Sequence, residues 1–130
     1  DFNLNKYIFI DRFIYLLKNI NSEKIIKLVA CVCAQDGIVS QVELETALKL
    51  IDKEIEKTSK KVFYSQIEKF FDEDLSLEEY LLAVPKNLNP DTILNICYQS
   101  AISDGLEIRE NLAFDKACKF WDKDINNFSK

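Results

Sequence analysis

Two aspartate-glycine pairs are the residues whose type and spacing most suggest chemistry. Asp36-Gly37 and Asp104-Gly105 contain both glycines of the chain, and Glu43 follows the first pair. Carboxylate oxygens are the ligands that Ca²⁺ and Mg²⁺ prefer, so acidic residues beside a turn could form a cation site. Glycine is also typical of the turn that ends a helix, since it readily adopts a positive φ. The pattern therefore admits two interpretations, a structural junction between helices or a carboxylate site.

The first pair resembles only the second half of an EF-hand loop. Asp36 and Glu43 fall at the fifth and twelfth positions of such a loop. The first and third positions would be Val32 and Ala34, which have no side-chain oxygen. An EF-hand is therefore excluded, and any cation site at this junction must be weaker or built differently.

The remaining chemistry of the sequence gives little support to an enzyme. Histidine is absent, which removes the commonest general acid/base and zinc ligand. No nucleophile-base pair and no phosphate-binding glycine loop is visible, so the sequence predicts a protein that is not an enzyme. Cys31 and Cys33 are two positions apart on a predicted helix, so their side chains point to different sides and cannot bind one ion together. We expect four free, buried thiols in a reducing cytoplasm: Cys31, Cys33, Cys97 and Cys118.

The balance of charge excludes two classes of partner. The chain has 22 acidic and 17 basic residues and a net charge of −5, which disfavours nucleic acid and anionic lipid surfaces. Its apolar runs fall far short of the roughly twenty residues that span a bilayer, so direct membrane insertion is not expected. The most acidic stretch, residues 68–79, is interpreted as a solvated face. A docking surface for a basic partner or a cation is the alternative.

The elements that must position these residues are helices. Glycine and proline are rare and apolar residues recur at helical spacing, which predicts an all-α fold, a compact bundle of about seven helices in one domain over residues 1–130. Ser-x-x-Glu capping boxes at Ser40 and Ser76, and Asn89 before a proline, mark three helix starts. The predicted helices lie near residues 4–19, 22–35, 40–55, 59–72, 76–84, 89–103 and 107–123.

Amphipathic stripes predict which side chains form the core. Four of the helices carry apolar residues at spacings of three and four, the spacing of one helix face. We assign these stripes to core packing: Ile10, Phe13, Ile14 and Leu17; Leu44, Ala47, Leu48, Ile51 and Ile55; Phe63, Ile67, Phe70 and Phe71; and Phe114, Ala117, Cys118, Trp121 and Ile125.

The aspartate-glycine pairs also suggest an internal repeat. Asp104 lies 68 positions after Asp36, and each pair joins a strongly apolar helix to an amphipathic one. The sequence therefore predicts two related helical hairpins, near residues 25–56 and 92–123, that superpose by a rotation. The same argument predicts a positive φ for both glycines.

These residues resemble a known family. An alanine- and cysteine-rich helix, Asp-Gly and a glutamate-bearing amphipathic helix, repeated across residues 25–121, resemble the tellurite-resistance TerB domain. Related modules occur beside J-domains in membrane co-chaperones. Asp36, Gly37 and Glu43 match the first motif, whereas Asn111 stands where the second motif would have its glutamate.

The resemblance implies a non-enzymatic binding module of two related halves in stress response or in resistance to tellurite and other metal oxyanions. It also implies a divalent-cation site, at which carboxylate oxygens and the absence of histidine favour weakly bound Ca²⁺ or Mg²⁺ over zinc or copper. Its partner would be a protein, a membrane-associated one being a candidate, in the cytoplasm or at the cytoplasmic side of a membrane complex. The alternative is a structural or adaptor domain of a larger protein that binds no ion. The implied metal ligands are Asp36, Glu43, Asp104, Glu107 and Glu110.

Overall fold

Helices form all the regular secondary structure of the residues that the structure describes. The computed structural model describes residues 21–35, 37–105 and 111–128, and this part of the chain contains no strand. The prediction of an all-α bundle is confirmed, while the predicted helix at 4–19 lies outside the described residues. The helices are α1 (21–33), α2 (Gln41–Glu54), α3 (Lys60–Asp72), α4 (Leu77–Leu82), α5 (Pro90–Ile102) and α6 (Leu112–Phe120), followed by a 3₁₀ turn (Ile125–Asn127).

Local capping chemistry begins three of these helices as predicted. At α2, the Ser40 Oγ accepts from the Glu43 N–H at 3.1 Å, and the Glu43 Oε1 accepts from the Ser40 N–H at 2.8 Å. Ser76 and Glu79 form the same reciprocal pair at α4, with distances of 3.2 and 2.7 Å. At α5, the Asn89 Oδ1 accepts from the backbone N–H two residues later, at 2.9 Å. Each cap satisfies backbone donors that a helix start leaves without a partner.

The last helix is shorter than predicted. It begins at Leu112 rather than near residue 107, because the Asn111 Oδ1 caps it by accepting from the Phe114 N–H at 2.9 Å. It ends at Phe120, before the predicted 123, since Asp122 leaves the helical conformation with a φ of 56°. Asparagine and aspartate have side chains that compete for backbone hydrogen bonds and tolerate such conformations, which explains both limits.

The two glycines adopt the same turn. The φ angles of Gly37 and Gly105 are 85° and 93°, which confirms the prediction of a positive φ. Each glycine N–H donates to the carbonyl three residues earlier, Ala34 or Ile102, at 2.9 Å in both turns. The turns end the two apolar helices, α1 and α5, in the same way.

The two predicted hairpins share their order of elements but differ after the turn. α1 and α2 flank the first glycine, and α5 and α6 flank the second. α2 begins four residues after Gly37, whereas α6 begins seven residues after Gly105. α2 is also longer, with 14 residues against nine in α6. Superposition of the hairpins by a rotation stays a prediction.

The core is built around α1 and α5, and α2 packs along α5. The stripes of α2 and α6 contribute as predicted, by burial or by packing against the core. The prediction that Phe71 belongs to the core is wrong, since its side chain is 49% exposed. Phe70 packs beside Tyr80 with ring centroids 5.5 Å apart, and Phe71 meets the edge of Phe70 at 5.1 Å near the end of α3.

The cysteines are free thiols, as predicted. Cys33, Cys97 and Cys118 are buried as predicted, whereas the prediction is wrong for Cys31, which is only half-buried. Burial raises the pKa of Cys31 and of Cys118 to about 11, so these thiols are protonated at neutral pH. The described helices include none with the length and apolar character needed to cross a membrane.

Candidate functional site

The structure describes two of the five predicted metal ligands. Glu43 is the third residue of α2 and is only 3% exposed. Asp104 lies at the surface in the turn that follows α5. Asp36, Glu107 and Glu110 lie outside the described residues, so the predicted ligand set stays a prediction.

The Glu43 carboxylate is buried where α2 begins. It accepts a hydrogen bond from the Ser40 N–H of the capping box at 2.8 Å and lies beside the Cys33 thiol of α1. Burial raises the pKa of Glu43, the hydrogen bonds from Ser40 oppose this rise, and the negative charge of Asp104 adds to it. Asp104 is therefore close enough for its charge to act on Glu43, although the two residues come from different hairpins.

This arrangement offers a cation fewer oxygens than a dedicated site. In the described part of the chain, no group of three or more acidic or cysteine side chains is placed to hold a metal ion. Glu43 also uses its carboxylate to cap its own helix. An ion bound here would have to compete with that cap, which favours low affinity.

The second hairpin has a structural side chain where the resemblance expects a ligand. Asn111 caps α6 through its Oδ1 and donates from its Nδ2 to the Val32 carbonyl at 3.0 Å. Val32 is a buried residue of α1, so this asparagine joins the second hairpin to the first. Its amide has both a donor and an acceptor, and a glutamate could not donate the bond to the carbonyl.

A second candidate site is the acidic surface, which we define as residues 68–79. This segment has six acidic residues and one lysine, a net charge of −5 that equals the charge of the entire chain. The other residues carry sixteen acidic and sixteen basic side chains. All the net charge of the chain thus belongs to one short segment.

Two of the six carboxylates have structural roles. Glu73 pairs with Lys27 of α1 and accepts from the Tyr80 hydroxyl at 2.8 Å, and Glu79 completes the cap of α4. The hydrogen bond from Lys27 holds the pKa of Glu73 below its ordinary value. The other four carboxylates are exposed to solvent: Glu68, Asp72, Asp74 and Glu78.

Two large apolar side chains lie among these carboxylates. Phe71 is 49% exposed and Leu75 is 48% exposed. The sequence reasoning missed them, because Phe71 continues a stripe whose other members are in the core. The signal that could have identified them is their position, one at the end of α3 and one just before the cap of α4, where few neighbours remain to cover them.

An apolar groove adjoins this surface at the other end of α4. The α4–α6 groove has a volume of about 290 Å³ and is lined by Leu82 of α4 and by Phe120 and Trp121 at the end of α6. Lys86, in the connection between α4 and α5, also lines it. The sequence reasoning did not identify this groove, since its lining residues come from distant parts of the chain.

No family model, curated protein or solved structure matches the chain. The resemblance to the TerB domain therefore depends on the motif residues alone.

Proposed function

We propose that the chain is a non-enzymatic, TerB-like binding module that acts through protein contact in stress response or in resistance to tellurite and other metal oxyanions. The family and its biological setting come from the resemblance of the two Asp-Gly hairpins. One observation carries the mode of action. The acidic surface holds the whole net charge of the chain and presents two half-exposed apolar side chains between its carboxylates.

The partner that complements this surface is a basic segment with apolar side chains. Four exposed carboxylates within one short segment repel each other, and a basic partner would relieve that repulsion. Covering Phe71 and Leu75 would contribute about 1 kcal/mol each, since each is about half exposed already. Charge would thus set the rate and specificity of association, and apolar contact would add affinity.

Weak divalent-cation binding is the second part of the proposal. The site would involve Glu43 and Asp104, whose charges interact, together with the predicted ligands outside the described residues, Asp36, Glu107 and Glu110. The alternative is a structural or adaptor domain in which the Asp-Gly pairs only shape the bundle. The positive φ angles at Gly37 and Gly105 are compatible with both a cation-binding module and a structural domain.

The docking proposal can be tested with a fluorescein-labelled peptide of lysine, leucine and alanine, arranged as an amphipathic helix. We expect wild-type protein to bind it in a salt-sensitive manner, measured by fluorescence anisotropy. The double variant Asp74→Asn, Glu78→Gln should bind about tenfold more weakly, because two carboxylates of the acidic surface lose their charge. The matched control, Glu45→Gln, Glu54→Gln, removes two exposed charges from α2 and should retain wild-type affinity.

Three outcomes would contradict the proposal. These are no binding of the peptide by wild-type protein, equal losses in the two double variants, and binding that does not weaken as salt is added. Equal losses would mean that only the net charge of the protein matters, whereas a docking surface requires that the position of the charge matters.

A further inference from the structure

One exposed face of α4 runs from the acidic surface to the α4–α6 groove. Glu78 and Leu82 are four residues apart on this helix and both are exposed, while Tyr80 and Leu81 face the core. Four residues correspond to about 6 Å along a helix axis. A peptide bound at Glu78 would therefore reach the groove with its next few residues.

The groove has the size and lining of a pocket for side chains. Its volume of about 290 Å³ lies just below the range for small-molecule sites, roughly 300 to 1,000 Å³, which suits one or two side chains. Leu82 is 71% exposed and Phe120 is also exposed, so apolar surface is open to a ligand. Pro85 and Pro90 line the groove as well, and their fixed φ angles favour a pocket that is already formed.

The charge in the groove is opposite to that of the acidic surface. Lys86 is the charged residue among those that line it, and it makes no ion pair with a described residue. Two nearby lysines at the end of α6 are already paired, Lys119 with Asp115 and Lys123 with Asp91. The chemistry that complements the groove is therefore an apolar side chain next to a carboxylate.

We infer that the α4–α6 groove binds the C-terminal end of the basic partner segment, with its last apolar side chain against Leu82 and Phe120 and its terminal carboxylate at Lys86. This inference rests on the proposed function, because the basic residues of the same segment contact the acidic surface. The order of charges, from Glu78 on α4 to Lys86 after the end of α4, then fixes the direction in which the partner binds, with its basic part at Glu78 and its carboxylate at the groove.

Two peptides of identical sequence test the inference, each with a run of lysines followed by leucine and a C-terminal phenylalanine. One has a free C-terminal carboxylate and the other a C-terminal amide. Trp121 lines the groove and is the single tryptophan of the chain, so its emission reports on the groove directly. We expect the acid to shift the emission of Trp121 and to bind about tenfold more tightly than the amide, with anisotropy of a fluorescein label measuring binding itself.

Three variants complete the test. Leu82→Ser should weaken binding of the acid at least about fivefold, whereas Leu112→Ser, at a leucine that is also 71% exposed, should have no effect. Lys86→Gln should bind acid and amide equally. These side chains are exposed, so the variants should fold, which circular dichroism verifies.

The failures of the two proposals can be told apart. Binding by anisotropy without a change in Trp121 emission, or equal behaviour of Leu82→Ser and Leu112→Ser, would overturn the groove inference and leave the acidic surface as the docking site. Equal affinity of wild-type protein for acid and amide would also overturn it. No binding of either peptide by wild-type protein would overturn both proposals.

Discussion

At the scale of single residues, Gly37 and Gly105 are required by backbone conformation alone. Among the residues that the structure describes, and apart from the neighbours in the chain, a Cβ atom built at either position would meet no heavy atom within 4 Å. Steric exclusion by neighbours therefore cannot explain these glycines. Their φ angles of 85° and 93° explain the glycines, because residues with a Cβ atom rarely adopt such angles.

Replacing either glycine should cost conformational energy without causing a clash. We expect Gly37→Ala and Gly105→Ala each to lower the free energy of unfolding by about 1 to 2 kcal/mol, measured by urea denaturation. Gly37→Asn and Gly105→Asn should cost less, since asparagine tolerates the left-handed region. Alanine and asparagine variants of equal stability would show that the positive φ is not the reason for glycine here.

At the scale of elements, one polar cluster joins three helices. Lys27 of α1 pairs with Glu73, which follows the end of α3, and Glu73 also accepts from Tyr80 of α4. Both members of the ion pair are partly shielded from solvent, so their interaction is screened less than that of exposed pairs. The cluster holds the end of α3 against α1 and α4.

Glu73→Gln should destabilise the protein in a pH-dependent manner. The pKa of Glu73 in the folded protein lies below its ordinary value of 4.5. The stabilisation that the ionised Glu73 carboxylate gives the folded protein is therefore fully present above about pH 4.5, and it is lost as the pH falls through the lowered pKa. We expect the variant to be about 1 kcal/mol less stable than the wild type at pH 7, and this difference should narrow as the pH falls from 4.5 to 3, measured by urea denaturation.

The control for this prediction is Glu68→Gln, at an exposed carboxylate of the same surface. It should leave stability nearly unchanged at both pH values. A difference between Glu73→Gln and wild type that stayed constant down to pH 3 would mean that the charge of Glu73 is not what stabilises the cluster.

At the scale of the whole molecule, the two hairpins meet through side chains that their motifs do not share. Burial raises the pKa of Glu43 in the first hairpin, and the charge of Asp104 in the second hairpin adds to this rise. Asn111 of the second hairpin donates to the Val32 carbonyl of α1. Glu43 and Asn111 occupy equivalent positions in the predicted repeat, yet one is a buried carboxylate and the other a neutral cap. If the halves bind a cation, we therefore expect one shared site rather than two equal sites.

Calorimetric titration with Ca²⁺ and Mg²⁺ tests that site. We expect wild-type protein to bind weakly, with a Kd on the order of 1 mM, because few carboxylates are available and Glu43 also caps α2. The double variant Asp36→Asn, Glu43→Gln should show no binding. Binding should weaken as the pH falls, since the raised pKa of Glu43 favours its protonated form.

The control variant is Glu45→Gln, Glu54→Gln, which makes the same change of charge on exposed parts of α2. It should bind the ions as the wild type does. No heat at millimolar ion, or equal binding by wild type and the Asp36→Asn, Glu43→Gln variant, would favour the alternative of a structural or adaptor domain.

The features that were predictable from the sequence are those whose interactions span a few residues. The capping boxes at Ser40 and Ser76 and the glycine turns each close a hydrogen bond with a residue no more than three positions away. Such interactions are set by the local order of residue types, so helix starts followed from the sequence. The helical stripes followed for the same reason, because the period of a helix is a local property.

The features that only the tertiary structure decided depend on residues far apart in the chain. Whether Phe71 is covered, and whether Glu43 is buried beside the Cys33 thiol, depends on which helices pack against them. Asn111 was noted in the sequence as a missing glutamate, but its partner, Val32, lies 79 positions away. The α4–α6 groove likewise exists only because the end of α6 lies beside α4. Burial and long-range hydrogen bonds are properties of packing, which the local pattern of one chain does not contain.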